Sequence, residues 1–250
     1  MKHSTYDPCL LYQNENSLAI AGLQTDDTLL LADETFAIIE EEKLREAGFT
    51  AKEREKLTST TPIKFNRGLI SQHENSMTLT QERHCQNLGI VSLETVDLTS
   101  SQRVMRKLVG TKQQYIAQRV RGTYIVTVCQ PEAAFALSLA AQVTEPNDDD
   151  IKKLNKILTW QHENPSRGLR FVPLNADKGS LKLLVFTDAS FANNPDYSSQ
   201  IGFVIALADK NDKANILYWS SLKCKQITRS VLASELYGMA HGFDIGTVLK

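Results

Sequence analysis

Late in the chain, Leu183-Leu184-Val185-Phe186-Thr187 runs without a charge and ends on Asp188. An apolar run of this length bounded by turn signals predicts a β-strand buried on both faces. Two more strand-like runs follow, residues 198–208 and 214–221, joined by the charged turn Asp209-Lys210-Asn211-Asp212-Lys213. A helix beginning near Ser230 then carries Glu235. Helical spacing puts Leu232, Leu236, Met239 and Phe243 on one stripe, predicted to face the sheet. Glu235 shares an adjacent face with Val231, Gly238 and Gly242, where small residues let the first strand approach closely. A carboxylate ending a buried strand and a second from a packed helix can meet at the rim of a sheet and offer oxygens to divalent cations. The plainer alternative is that both acids simply face water, as most acids do.

Four segments in order resemble the ribonuclease H region of copia-type retrotransposon polyproteins. They are Phe186-Thr187-Asp188-Ala189-Ser190-Phe191-Ala192, Ser199-Gln200-Ile201-Gly202-Phe203, Tyr218-Trp219-Ser220-Ser221-Leu222-Lys223 and Ala233-Ser234-Glu235-Leu236-Tyr237. The resemblance implies that Asp188 and Glu235 bind catalytic metal ions, Mg²⁺ or Mn²⁺. The family takes a further aspartate from a later strand and another acid beyond it, for which these 250 residues hold no counterpart. Asp244 does not replace them, because it lies two to three turns along the same helix.

Near the other end, Asp26-Asp27 separates two strand-like arms, residues 17–25 and 28–32. An acidic pair suits a tight turn, where Asp tolerates the backbone and caps nearby amides. Two carboxylates at a hairpin tip can also share Mg²⁺ with substrate phosphates. The stretch Gln24-Thr25-Asp26-Asp27-Thr28-Leu29 resembles the aromatic-x-Asp-Asp box of the reverse transcriptase palm, with Gln24 where the family carries tyrosine. Ser4-Thr5-Tyr6-Asp7-Pro8-Cys9-Leu10-Leu11-Tyr12 resembles what precedes that box in copia-like enzymes. An earlier palm aspartate of the family would lie before Met1.

Between these ends, residues 33–56 crowd opposite charges around Phe36, Ile39, Leu44 and Ala47. They predict a surface helix with Gly48 at its C-terminal end. Short strands are expected at 63–70 and 77–80, with turns at Asn66-Arg67-Gly68 and Glu74-Asn75-Ser76. Helices are expected at 81–88, 133–142 and about 147–162, the last opened by Asn147-Asp148-Asp149-Asp150 as caps and dipole partners. A strand follows at 168–173, and 175–180 is the best linker candidate.

Charge matters in one place. The chain is 23% charged with a formal net charge of -1, so no global positive field marks it for nucleic acid. Residues 98–131, however, contain Arg103, Arg106, Lys107, Lys112, Arg119 and Arg121 and no acid. They can grip phosphates without reading sequence, or pair with acidic helices elsewhere. The four scattered cysteines fit reduced thiols of a cytoplasmic or nuclear protein rather than a disulfide frame or zinc site. No apolar run is long enough to span a bilayer, so no membrane partner is expected.

Together these features predict a mixed α+β or α/β chain. The resemblance divides it into the end of a reverse transcriptase palm (1–63), thumb and connection (64–179), and the front of a ribonuclease H-like fold, three antiparallel strands plus the first helix (180–250). The implied parent activities are RNA-directed DNA synthesis and cleavage of RNA in RNA–DNA hybrids. The implied partner is a hybrid or primer–template duplex, with a homo-oligomer or another subunit able to supply missing elements. Because each implied metal site lacks an acid, the chain alone is expected to be inactive. The alternatives are a non-catalytic duplex-binding remnant and a degenerate retroelement product.

Overall fold

Alternation shapes the first sheet. In β3 (Ala19–Gln24), Ala19 and Ala21 are buried while Ile20 between them is exposed. Strand β3 pairs antiparallel with β2 (Leu10–Gln13) and with β4 (Asp27–Ala32), and β2 pairs with β1 (Lys2–His3). The register aligns Tyr12, Ile20 and Leu31 across three strands on the exposed face. Asp33 then caps helix α1 (Glu34–Glu46). Its carboxylate accepts from the Phe36 N–H at 2.8 Å and the Leu18 N–H at 3.0 Å. The cap thus ties the helix start to the start of the sheet. Gly48, at φ +78°, ends α1 in the left-handed region, with its N–H on the Arg45 carbonyl. Asn66 and Arg67, both at positive φ, make the two-residue turn joining β5 (Ile63–Phe65) to β6 (Gly68–His73).

The computed structural model describes residues 1–5, 7–13, 18–25, 27–50, 52–92, 110–177 and 179–249. It separates into two compact units, Met1–Gln72 and His73–Val248. The family segments expected from the resemblance meet at 63/64 and 179/180, whereas the compact units meet at 72/73. The whole is a mixed α and β structure with antiparallel sheets.

In the second unit, β7 (Ser76–Thr80) pairs with β8 (Leu169–Phe171). Between them in sequence lie α2 (Glu82–Gln86), α3 (Thr111–Val128), a 3₁₀ turn at Pro131–Ala133, α4 (Ala134–Gln142) and α5 (Asp148–Glu163). Helix α5 starts as its sequence predicts. Asn147 accepts from the N–H groups of Asp149 and Asp150, and the Asp150 carboxylate accepts in return from the Asn147 N–H. Three-four spacing buries Ile151, Leu154 and Leu158 against Tyr115, Val126 and Leu137. Asn155 holds the chain at Val91 as a neighbouring strand would. Its Oδ1 accepts from the Val91 N–H at 2.8 Å and its Nδ2 donates to the Val91 carbonyl at 2.9 Å.

Strands β9 (Lys182–Ser190), β10 (Gln200–Ala208) and β11 (Ala214–Lys223) form an antiparallel sheet in the order β11-β10-β9, followed by α6 (Val231–Leu249). Gln200 ties this sheet to α4. Its Nε2 donates to Ser138 Oγ and Ser221 Oγ, and its Oε1 accepts from Gln142 Nε2. Trp219 on β11 donates its ring N–H to the Val126 carbonyl of α3 at 3.0 Å. The expected linker at 175–180 is anchored at its start, where the Asn175 N–H reaches Asp209 Oδ2 at 2.9 Å. Asp209 also accepts from the N–H groups of Asn211 and Lys213, and these bonds hold its carboxyl below the usual carboxylate range.

The structure corrects two expectations. Strand β9 exists, but it is an edge strand and is not buried on both faces; Leu184, Val185 and Phe186 are exposed, Phe186 by 59%. The stripe of Leu232, Leu236, Met239 and Phe243 does not face the sheet; all four are exposed. Helix α6 instead buries Ser234, Gly238, Gly242 and Gly246. A Cβ at Gly242 would sit 2.6 Å from Thr187 Cγ2, and one at Gly246 2.9 Å from Val185 Cγ2. The close approach expected for the first strand is therefore real, and four small residues at i, i+4 spacing make it possible.

Candidate functional site

The carboxylates of the second unit come from β9 and α6. The contacts of Gly238, Gly242 and Gly246 with Ala189, Thr187 and Val185 set α6 on the face of β9 that carries these odd-numbered residues. The pairing of β9 with β10 runs from Lys182 to Ser190 without a shift, so side chains alternate strictly along it. The exposed Asp188 side chain therefore leaves from the face opposite α6, beside Phe186 and Ser190. Glu235 is half-buried, one turn from Gly238 on the helix side. Their backbones lie close, since a Cβ at Gly238 would be 3.4 Å from the Asp188 carbonyl oxygen. As arranged, the two side chains leave from different sides of β9.

In the first unit, the register pairs Gln24 with Asp27, and Thr25 at φ +53° makes the turn. Asp27 is exposed at the start of β4. Asp26 lies outside the described residues. Among the described residues, no group of three His, Cys, Asp or Glu side chains comes together in a way that could hold a metal ion.

The basic stretch divides. Arg103, Arg106 and Lys107 lie outside the described residues. On α3, Lys112 forms an ion pair with Glu145. Arg119 Nη1 donates to the Ala141 carbonyl at 3.1 Å, near the end of α4. Arg119 thus ties α3 to α4 and Lys112 ties it to the segment after α4, the structural role that the sequence left open. Arg121 is exposed and makes no ion pair among the described residues. Tyr115 on the same helix is buried, and its hydroxyl donates to the Ala140 carbonyl.

Two of the three buried cysteines are held from acting as nucleophiles. Cys85 and Cys129 are fully buried, and burial pushes their thiols up to about 11 and about 12, so both stay protonated at neutral pH. A cleft of about 950 Å³ opens between α4 and α5, floored by Phe135, Leu139, Ile157 and Trp160 and closed on one side by Asp196 and Lys223.

Sequence reasoning passed over the surface beyond that side. The loop 191–199 joins β9 to β10, and the loop 224–230 joins β11 to α6. Register puts both at one end of the sheet, because Ser190 pairs with Gln200 and Gln200 with Lys223. They carry Tyr197, Ile227, Lys225 and Arg229, all exposed. The alternation Lys223-x-Lys225-x-Ile227-x-Arg229 was legible as a signal, but its neighbour Tyr197 was not, since only strand pairing joins the two loops. Among the described residues, no helix is long and apolar enough to cross a membrane. No protein-family model matches the chain, and no curated protein matches it either.

Proposed function

We propose that this chain is part of a copia-like reverse transcriptase and ribonuclease H. By itself it holds an RNA–DNA hybrid or primer–template duplex without extending or cutting it. The observation that carries this reading is the order of elements in residues 182–249. Three antiparallel strands, with Asp188 near the end of the first, lead into a helix with Glu235 near its start. That is the order the resemblance calls for. Duplex binding is supported by the acid-free segment 98–131, of which Arg121 offers a cation unclaimed by any described ion pair. Absence of turnover is supported by the departure of the Asp188 and Glu235 side chains from different sides of β9.

The test is fluorescence anisotropy of the 250-residue chain with a labelled hybrid and a labelled DNA duplex over a range of salt. Alanine at Arg103, Arg106, Lys107 and Arg121 together should weaken binding to both. It should also lower the salt slope by about one unit for each phosphate no longer gripped. Unchanged affinity and slope would remove the duplex reading. Mg²⁺-dependent cleavage of the hybrid by the wild-type chain, abolished by Asp188→Asn, would overturn the claim that it does not cut.

A further inference from the structure

The loops 191–199 and 224–230 are joined by hydrogen bonds. The Cys224 N–H donates to the Ser199 carbonyl at 2.8 Å, and Ser199 Oγ meets Thr228 Oγ1 at 2.6 Å. Ser199, Cys224 and Thr228 are all buried, so these bonds are shielded from water. Asp196, which Lys223 holds well below the usual carboxylate range, adds an ion pair across the same junction. Asp196 is also the one acid in the two loops, and that pair already neutralises it. Lys225 and Arg229 remain exposed, with no ion pair among the described residues.

In the first of these loops Tyr197 is 80% exposed at φ +59°, a left-handed conformation that a bulky side chain rarely adopts. The Tyr197 N–H on the Asn194 carbonyl at 2.8 Å and the Asn194 N–H on the Ser198 carbonyl at 3.1 Å keep it there. Nothing in the core requires this ring, which projects into water from a strained backbone. Residues held so by their surroundings concentrate where a surface is used. An exposed aromatic ring on one loop, with two cations free of described ion pairs on the loop bonded to it, supplies the groups that single-stranded nucleic acid needs. The ring stacks on a base of any sequence and the cations meet the flanking phosphates.

We propose that Tyr197, Lys225 and Arg229 form a platform for a single-stranded stretch, such as an overhang beside a bound duplex. The proposal rests on the nucleic-acid reading above and adds a second, single-strand contact to it. An anionic membrane surface would also attract the two cations. Phe191 and Ile227 in the loops and Val231 and Leu232 just beyond them are exposed as well, so what favours a nucleic acid is the ring held on a left-handed backbone, and vesicle binding is an outcome of the test.

The experiment compares the full chain bound to a blunt RNA–DNA hybrid, the same hybrid with a twelve-nucleotide thymidine tail, and the free thymidine oligomer. Anisotropy at one fixed salt concentration reads all three. The tail should tighten binding about tenfold, the effect of one well-stacked base. Tyr197→Gly suits the left-handed backbone and so keeps the loop folded. It should abolish the gain and leave blunt-hybrid affinity unchanged, while Tyr197→Phe should retain the gain. A tail that adds nothing, or a gain that survives Tyr197→Gly, overturns the platform and leaves duplex binding standing. Tyr197-dependent binding of the free oligomer without any binding of the blunt hybrid keeps the platform and removes the duplex reading. Tyr197-dependent binding to phosphatidylserine vesicles with no effect of the tail assigns the surface to a membrane and overturns the proposal.

Discussion

Helices α5 and α6 are of similar length and bury opposite kinds of face. In α5 the large residues Ile151, Leu154 and Leu158 turn inward, and the charges stay in water. In α6 the inward face is Ser234, Gly238, Gly242 and Gly246, and the large residues Leu232, Leu236, Met239 and Phe243 turn outward. The difference lies in what each helix packs against. Helix α5 meets other helices, whose side chains interdigitate with its own and fill the space between axes. Helix α6 lies along an edge strand at a separation that leaves no room for a Cβ at Gly242 without displacing Thr187. An apolar stripe therefore shows that a face avoids water, but not which neighbour it meets. The outward stripe of α6 is a sizeable apolar surface of the kind that usually belongs to an interface.

Leu158 anchors the large-residue face of α5. Truncation to Ala should cost about 2–5 kcal/mol, because the helical core around it cannot collapse fully. Urea unfolding followed by circular dichroism measures this, and a loss under about 1 kcal/mol would mean that α5 is not packed as described. Next comes Gly242→Val, expected to destabilise by about 1–3 kcal/mol through overpacking against Thr187. Thr187→Ala should recover part of that loss in the double variant, and strict additivity would show that the two residues do not touch. Smallest is Phe243→Ser, which should change stability by less than about 0.5 kcal/mol, since the ring is 70% exposed. Had the stripe faced the sheet, that change would cost several times as much. The same urea series thus separates the two packings of α6.

Acid should act on the second unit through Asp209. Its carboxyl is lowered in the folded chain by the N–H groups of Asn175, Asn211 and Lys213. Its contribution is therefore present above the ordinary value of 3.8 and is lost as the pH falls through the folded value. In Asp209→Asn, stability should fall less steeply between about pH 5 and pH 3 than in the parent chain; identical acid limbs would show that these bonds carry no linkage.

Local chemistry was legible in the residues themselves. Asn147 through Asp150 announce a capped helix start because a capping box is closed by side chains three residues apart. Asn66-Arg67-Gly68 announces a turn, and most strands and helices lie close to where apolar period and breakers place them, whereas the strands Lys2–His3 and Leu10–Gln13 and the helix Thr111–Val128 were not placed from the sequence. Lys112 and Arg119 could not be assigned in advance, because their partners Glu145 and Ala141 lie 33 and 22 residues away in the chain. The sides from which Asp188 and Glu235 project were equally hidden. Periodicity places Asp188 on a strand and Glu235 on a helix, but either face of the sheet could have received that helix.

By itself, then, the sequence settled most of the elements, several of their caps and turns, and a surplus of cations in residues 98–131, since these depend on neighbours within a few residues. Tertiary structure alone decided that α6 lies on the Val185, Thr187 and Ala189 face, that β9 is left as an edge, and that the loop carrying Tyr197 is bonded to the loop carrying Lys225 and Arg229. The physical reason is that packing is settled by the fit of whole surfaces. Four small residues allowed a strand to come closer than any apolar stripe could, and that close fit set the direction of every side chain around it.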